Sequence, residues 1–217
     1  MKSKHILVTK NLTLAQQKQL SDSGVGVKMY NAISIKPLPF ESSNFVDSAI
    51  VTSQNTALIL FNSKITIKQV FCVGSKTEKI LVENGYHVVK KTENGKELAN
   101  YIAKNYKTTS FVFFCGKKRR DEIPKTLSES AINFKEISLY NTELNIQKFN
   151  QNFDGILFFS PSAIQSYIAQ NSLTKTIAFC IGNTTANEAR KHTSNVVVAP
   201  KATVESTIAT LISFFRS

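Results

Sequence analysis

The chain has 217 residues, 42% of them apolar and 19% charged, which gives room for one large domain or two small ones and excludes a disordered or fibrous protein. Its longest apolar runs fall far short of the roughly 20 residues of a membrane span. Ile6-Leu7-Val8, set between Lys4 and Lys10, is too short for a signal-peptide core, and three cysteines without metal-ligand spacing exclude a disulfide scaffold. A cytoplasmic location is expected. The net charge of +12 calls for an anionic partner, whether nucleic acid, acidic lipid or a polyanionic small molecule.

In chain order, a first short strand at Ile6-Leu7-Val8 leads into a helix from Leu12 to Leu20, where Leu12, Ala15, Gln16 and Gln19 share a face. Gly24 and Gly26 stop it, and Val25 and Val27 begin the next strand. Ile33 to Pro37 is extended and alternates polar and apolar residues, with Pro37 and Pro39 biasing their neighbours the same way. Unbroken apolar runs follow at 49–51, 70–73, 111–114, 155–159, 177–181 and 196–198. Continuous apolarity fits strands covered on both faces, hence a mainly parallel sheet flanked by helices. Between them, Lys117-Lys118-Arg119-Arg120 runs straight into Asp121-Glu122 and reads as a solvated loop. Glu136 to Tyr140 is a second alternating, extended segment.

Two stretches repeat. Residues 45–53, followed by Ala57-Leu58, match residues 153–160, followed by Ala163-Ile164. Val70 to Thr77 then matches Ala178 to Thr185, and the offset is 107 residues at the first motif and 108 at the second. Each copy continues to a valine strand (87–89 and 196–198) and a last amphipathic helix (97–104 and 204–215). The first copy lacks one strand-helix unit, which Phe111 to Leu127 supplies. The second finds its missing unit at Ile6 to Leu20. The expected fold is therefore α/β: two similar three-layer parallel-sheet domains joined by a two-stranded linker. The first domain is discontinuous, 1–34 plus 141–217. The other, 38–135, is inserted into it, with linker strands 33–37 and 136–140 forming a thin exposed ribbon.

In each copy a buried strand ends in a small-residue turn that opens a helix: Thr52-Ser53, Gly74-Ser75-Lys76-Thr77, Ser160-Pro161-Ser162 and Gly182-Asn183-Thr184-Thr185. Hydroxyls and free N–H groups at helix starts attract anionic oxygens, and Gly74 and Gly182 would let an anion come close to the backbone. Any one such turn is ordinarily just a helix cap. Four in register across a repeat point to a binding edge, because ligands of open α/β sheets bind at the carboxyl ends of the strands. Two such edges facing across a hinge would form a cleft. No nucleotide-binding glycine fingerprint is present, the three histidines have no metal spacing, and Cys72, Cys115 and Cys180 read as inert core residues. RNA binding is disfavoured by the lack of an aromatic-basic platform.

Taken together, Thr52-Ser53 with Asn55 and Ala57, Cys72-Val73-Gly74 with Thr77, Gly116 with Arg120-Asp121, Leu139-Tyr140 with Thr142, Phe159 to Ala163, and Ile181-Gly182 with Thr184 to Ala186 resemble the uroporphyrinogen-III synthase family over nearly the whole chain. Gln54, where the family often has proline, and Lys117-Lys118, in place of its usual glycines, depart from the pattern. The resemblance implies cyclisation of hydroxymethylbilane, a linear tetrapyrrole with eight carboxylates, with loss of water and inversion of the last ring. It implies no cofactor, a monomer, and no nucleic-acid or membrane partner. It makes Tyr140 the general acid toward the leaving hydroxyl. It also makes the four turns above, with Thr203, receptors for the carboxylates. The alternative is a non-catalytic two-domain module that closes around an acidic ligand, with Tyr140 only structural.

Overall fold

The computed structural model describes residues 4–216. In chain order its elements begin with β1 (His5–Val8), α1 (Leu14–Ser21), β2 (Gly26–Met29) and β3 (Ile33–Pro37). They continue with β4 (Phe45–Val51), α2 (Gln54–Phe61), β5 (Thr66–Val73), α3 (Ser75–Glu83), β6 (Val88–Thr92), α4 (Gly95–Asn105), β7 (Phe111–Gly116) and α5 (Glu122–Glu129). The last group is β8 (Phe134–Leu144), β9 (Gly155–Phe158), α6 (Pro161–Ile168), β10 (Ile177–Cys180), α7 (Asn183–Ala189), β11 (Val196–Val198) and α8 (Val204–Arg216).

The chain divides into two compact units. One comprises Met1–Ser34 with Glu143–Ser217, and the other Ile35–Thr142. In the continuous unit the sheet runs β3-β8-β7-β4-β5-β6, and in the discontinuous unit it runs β11-β10-β9-β1-β2. The pairs β4/β5, β5/β6, β4/β7 and β7/β8 are parallel, as are β9/β10, β10/β11, β1/β9 and β1/β2. Strand β1, from the start of the chain, thus sits beside β9 as β7 sits beside β4. In both sheets the chain winds outward in one direction, then returns to the centre and winds outward in the other. That reversal creates a switch point between β4 and β7, and another between β9 and β1.

Each sheet is packed on both faces, which is why its strands are continuously apolar. Ala49, Val51, Val70, Cys72 and Phe114 form one core with Ala57, Leu60 and Leu81 of α2 and α3. Their strand neighbours Ile50, Phe71, Phe113 and Cys115 point the other way, onto Leu98, Ile102 and Leu127 of α4 and α5. The discontinuous unit repeats this. Leu7, Ile156 and Phe158 meet α6 and α7, while Ile6, Val8, Leu157 and Phe179 meet Leu20, Ile208 and Leu211 of α1 and α8. Helix starts are capped by the residues expected of them: Ser53, Asn94 and Ser160 each accept a backbone N–H three residues on, and Pro161 takes the first helical position.

The segments 33–37 and 136–140 are neighbours, with the Leu38 N–H donating to the Leu139 carbonyl and the Asn145 N–H to that of Ala32. They do not stand apart as a ribbon, however. β8 has 11 residues, and Phe134 to Tyr140 also pair in parallel with β7. Polar-apolar alternation could not foresee this second partner, because one face of β8 is covered by core residues and the other is left half-exposed. A register shift lies between Cys115 and Gly116, so that Cys115 pairs with Ser138 but Gly116 with Tyr140. The extra residue is a bulge, a device that re-aims a side chain at the end of a strand. Among the described residues no helix is long and apolar enough to cross a membrane.

Candidate functional site

The largest concentration of polar side chains at a sheet edge lies in the continuous unit, at the switch point between β4 and β7. There a cleft of about 380 Å³ is lined by Thr52 and Ser53 after β4, Val73 at the end of β5, and Glu93, Asn94 and Gly95 after β6. Gly116, Lys118, Arg119 and Arg120 line it from the end of β7, with Tyr140 from β8 and Glu122 and Ile123 from α5. The carboxyl ends of the strands meet here because every strand in the sheet apart from β3 runs the same way, so their following loops gather at one edge.

Tyr140 is half-buried in the cleft wall, and the bulge is what brings it opposite Gly116. The contact leaves no space for a side chain on Gly116: a Cβ there would lie 2.6 Å from Tyr140 Cζ and 2.9 Å from its hydroxyl oxygen. The Lys117 N–H donates to the Tyr140 carbonyl at 2.8 Å, fixing the backbone on that side. The phenol hydroxyl lies 3.1 Å from Ser53 Oγ, which itself accepts the Thr56 N–H as the cap of α2. The tyrosine is therefore held by the floor beneath its ring and by a helix cap at its oxygen.

Arg119 is anchored rather than free. Its Nε and Nη2 donate to the two Glu136 carboxylate oxygens at 2.6 and 2.9 Å, and Nη1 reaches Asp121. The Glu136 hydrogen bonds, and then those to Asp121, push the guanidinium pKa up against the opposing effect of burial, so it stays cationic. The basic run is thus not merely a solvated loop: three of its four members, Lys118 to Arg120, line the cleft. Opposite charge within the cleft comes from Glu93 and Glu122.

Of the residues expected at the site, the structure brings Thr52, Ser53 and Tyr140 together in this cleft. Gly74, Ser75, Lys76 and Thr77 open α3 at the same sheet edge but do not line it. Ser75 and Lys76 are exposed, whereas Thr77 is buried. Ser160, Pro161, Ser162, Gly182, Asn183, Thr184, Thr185 and Thr203 belong to the other unit. There they stand at the carboxyl edge, Ser160 and Thr203 capping α6 and α8 and Thr185 buried. The two glycines are not equivalent. Gly74 adopts φ +84°, where a side chain is strained, but Gly182 is extended, a conformation open to any residue.

The pattern of turns alone did not single out Gly116 as the floor, Asn94 as the cap of α4 facing the cleft, or Thr56 behind Ser53. Only Gly116, a glycine ending an apolar strand, carried a visible signal. The cysteines bear no chemistry here: burial pushes the thiols of Cys72 and Cys180 up to about 12 and that of Cys115 to about 11, leaving them protonated at neutral pH. Among the described residues no group of His, Cys, Asp and Glu is placed to hold a metal.

Two doubly wound parallel-sheet units in one chain, the first split around the second, with a tyrosine at a carboxyl-edge cleft, define the class: duplicated α/β proteins that bind their ligands at strand ends. The model of the family described as uroporphyrinogen-III synthase HemD matches residues 15–209, and the chain belongs to that family. It is 28% identical to the "porphyrin biosynthesis protein HemD" of Ruminiclostridium josui over 90% of its own length. It spans only 45% of that longer relative. Among solved structures it is similar to uroporphyrinogen-III synthetase from Helicobacter pylori, with a TM-score of 0.72 at 17% identity over 97% of this chain and 99% of that one. It is also similar to a mutant uroporphyrinogen III synthase from Thermus thermophilus, with a TM-score of 0.64 at 12% identity over 99% and 98% of the two chains. At such identities these two likenesses speak for the fold.

Proposed function

We propose that the chain is a uroporphyrinogen-III synthase that converts hydroxymethylbilane into the type III cyclic tetrapyrrole. The observation that carries this reading is the position of Tyr140, a phenol held by Gly116 and Ser53 in the wall of a polar cleft that also contains Lys118 and Arg120. In the reaction Tyr140 gives its proton to the leaving hydroxyl of the substrate. The carbon–oxygen bond breaks with its electron pair on oxygen, water departs, and the adjacent pyrrole nitrogen supplies electrons to form an azafulvene. The last pyrrole then attacks through its substituted carbon to give a spirocyclic intermediate. This fragments and recloses with that ring inverted, and the proton lost on rearomatisation restores the phenol.

The electrons of the bond changes come from the pyrroles, so the protein's tasks are positioning and proton delivery. A cleft of about 380 Å³ suits the reacting terminal ring with its side chains. The remaining carboxylates fall to the basic surface of a chain with net charge +12 and to the hydroxyl- and amide-bearing turns: Thr52-Ser53 and 74–77 in one unit, 160–162, 182–185 and Thr203 in the other. We take the protein to act as a cytoplasmic monomer, without nucleic acid or membrane.

Freshly prepared hydroxymethylbilane, incubated with the protein and resolved into product isomers, tests the reading. The expected product is type III, formed faster than the spontaneous closure. Type I alone, at the spontaneous rate, would overturn the enzyme and leave a non-catalytic binding module.

A further inference from the structure

Three hydroxyls stand in a row behind the cleft wall. Ser53 Oγ lies 2.8 Å from Thr56 Oγ1 and 3.1 Å from the Tyr140 hydroxyl, and accepts the Thr56 N–H at 3.0 Å. A serine hydroxyl has one proton to donate and two lone pairs to offer. The N–H occupies one lone pair, leaving one proton and one lone pair for two hydroxyl neighbours. One neighbour must therefore donate to Ser53 while the other accepts from it. If Tyr140 were the donor, its proton would point into the wall and away from any ligand. A phenol that serves the cleft requires the opposite order, with Thr56 donating to Ser53 and Ser53 to Tyr140.

We propose that Thr56 and Ser53 are positioning residues for the proton transfer: a directed row of hydroxyls, from Thr56 to Ser53 to Tyr140, turns the phenol proton toward the cleft and stabilises the phenolate left behind. This rests on the reading of Tyr140 as the proton donor. The only proton that moves is the phenol's, to the leaving oxygen. The Ser53 hydrogen bond then falls on a full negative charge, where it strengthens. Thr56 is fully buried, with 0% of its surface exposed, so it acts on a bound ligand only through its neighbours.

The repeat supplies an internal comparison. In the other unit Ser160 caps α6 in the same way, accepting the Ala163 N–H at 3.2 Å, but an alanine stands where the first copy has Thr56. Capping alone thus needs no hydroxyl at that position. The threonine is found in the copy whose capping serine touches a tyrosine.

Steady-state kinetics with hydroxymethylbilane on the full chain, combined with NMR of protein carrying 13C at tyrosine Cζ, test the proposal. Thr56→Val is expected to lower kcat about fivefold with KM moved by less than about twofold, the split expected when only the transition state loses an interaction. Ser53→Gly, which keeps the helix start nearly intact, should lose more, and Ser53→Thr should restore most of kcat. In a Tyr140→Phe background Thr56→Val should change kcat by less than about twofold, since the two act as one unit. The Tyr140 resonance, identified by its loss in Tyr140→Phe, should shift in both Thr56→Val and Ser53→Gly. Equal fold losses with and without the Tyr140 hydroxyl, or a change in KM alone, would overturn the row of hydroxyls while leaving the synthase reading intact. If the parent protein forms no type III product, the synthase reading fails instead. The resonance then decides: a shift retains the row, and an unmoved signal ends it.

Discussion

Tyr140 is placed by residues that share no local sequence with it: Gly116 under its ring, Ser53 at its oxygen, and a bulge that aims it. Removing only the phenol oxygen, as in Tyr140→Phe, should lower kcat by about a hundredfold or more, the lower range for loss of general acid catalysis, with the thermal midpoint and circular dichroism little changed. Gly116→Ala keeps the hydroxyl but displaces it, because the new Cβ would sit 2.6 Å from the ring. A displacement of about 1 Å at a reacting group costs about a hundredfold, so this variant should match Tyr140→Phe in kcat while retaining the tyrosine. Parallel assays of the two variants check both predictions. A fully active Gly116→Ala would mean that the ring has somewhere else to go.

At the scale of elements, α8 and the start of β1 show how the discontinuous unit is closed. Helix α8 buries Val204, Thr207, Ile208 and Leu211, packing against β9, β10 and α1. Ile208→Ala should cost about 2–5 kcal/mol, the range for emptying a fully buried aliphatic site, measured by urea unfolding. Asp154 ties the two ends of the unit together: its carboxylate accepts the His5 N–H at 2.8 Å and pairs with Lys4 at 3.2 Å, just before β9 begins. Burial raises its pKa, but the His5 N–H and Lys4 outweigh that and hold it below the ordinary 3.8. A depressed folded-state value means that the stabilisation is complete above the ordinary carboxylate range and is lost as pH falls through the folded value. Asp154→Asn should accordingly melt below the parent at pH 7, and the gap should close as the acid limit is approached. A gap that persists unchanged into acid would assign the effect to shape rather than charge.

For the whole molecule, a charge of +12 facing a substrate with many carboxylates makes ionic strength a variable. Salt screens exposed charges over about 10 Å at 0.1 M, so added sodium chloride should raise KM several-fold while kcat, set by anchored groups within the cleft, changes little. A KM indifferent to salt would remove the basic surface from recognition. The cleft itself holds Glu93 and Glu122 among its cations, so the screening belongs to the surface as a whole.

What the sequence determined by itself is the part of the fold that is written in periodicity and repetition. Unbroken apolar strands require cover on both faces, and a register held at 107–108 residues requires two copies of one unit. A copy missing its strand-helix pair can take it from the start of the chain, as β1 beside β9 does. The capping residues at strand ends were legible for the same local reason: Ser and Thr satisfy the first N–H groups of a helix wherever one begins. Only the tertiary structure decided which of those caps faces a cleft. Ser53 does so because the switch point between β4 and β7 opens beside it, and Ser75 does not, although both follow buried strands. It also decided that an apparent surface run, Lys118 to Arg120, turns inward around Glu136, and that Tyr140 replaces Leu139 opposite Gly116. The reason is physical: a cap depends on residues three apart, whereas a site depends on which strand ends a sheet brings together and on a one-residue shift in their pairing.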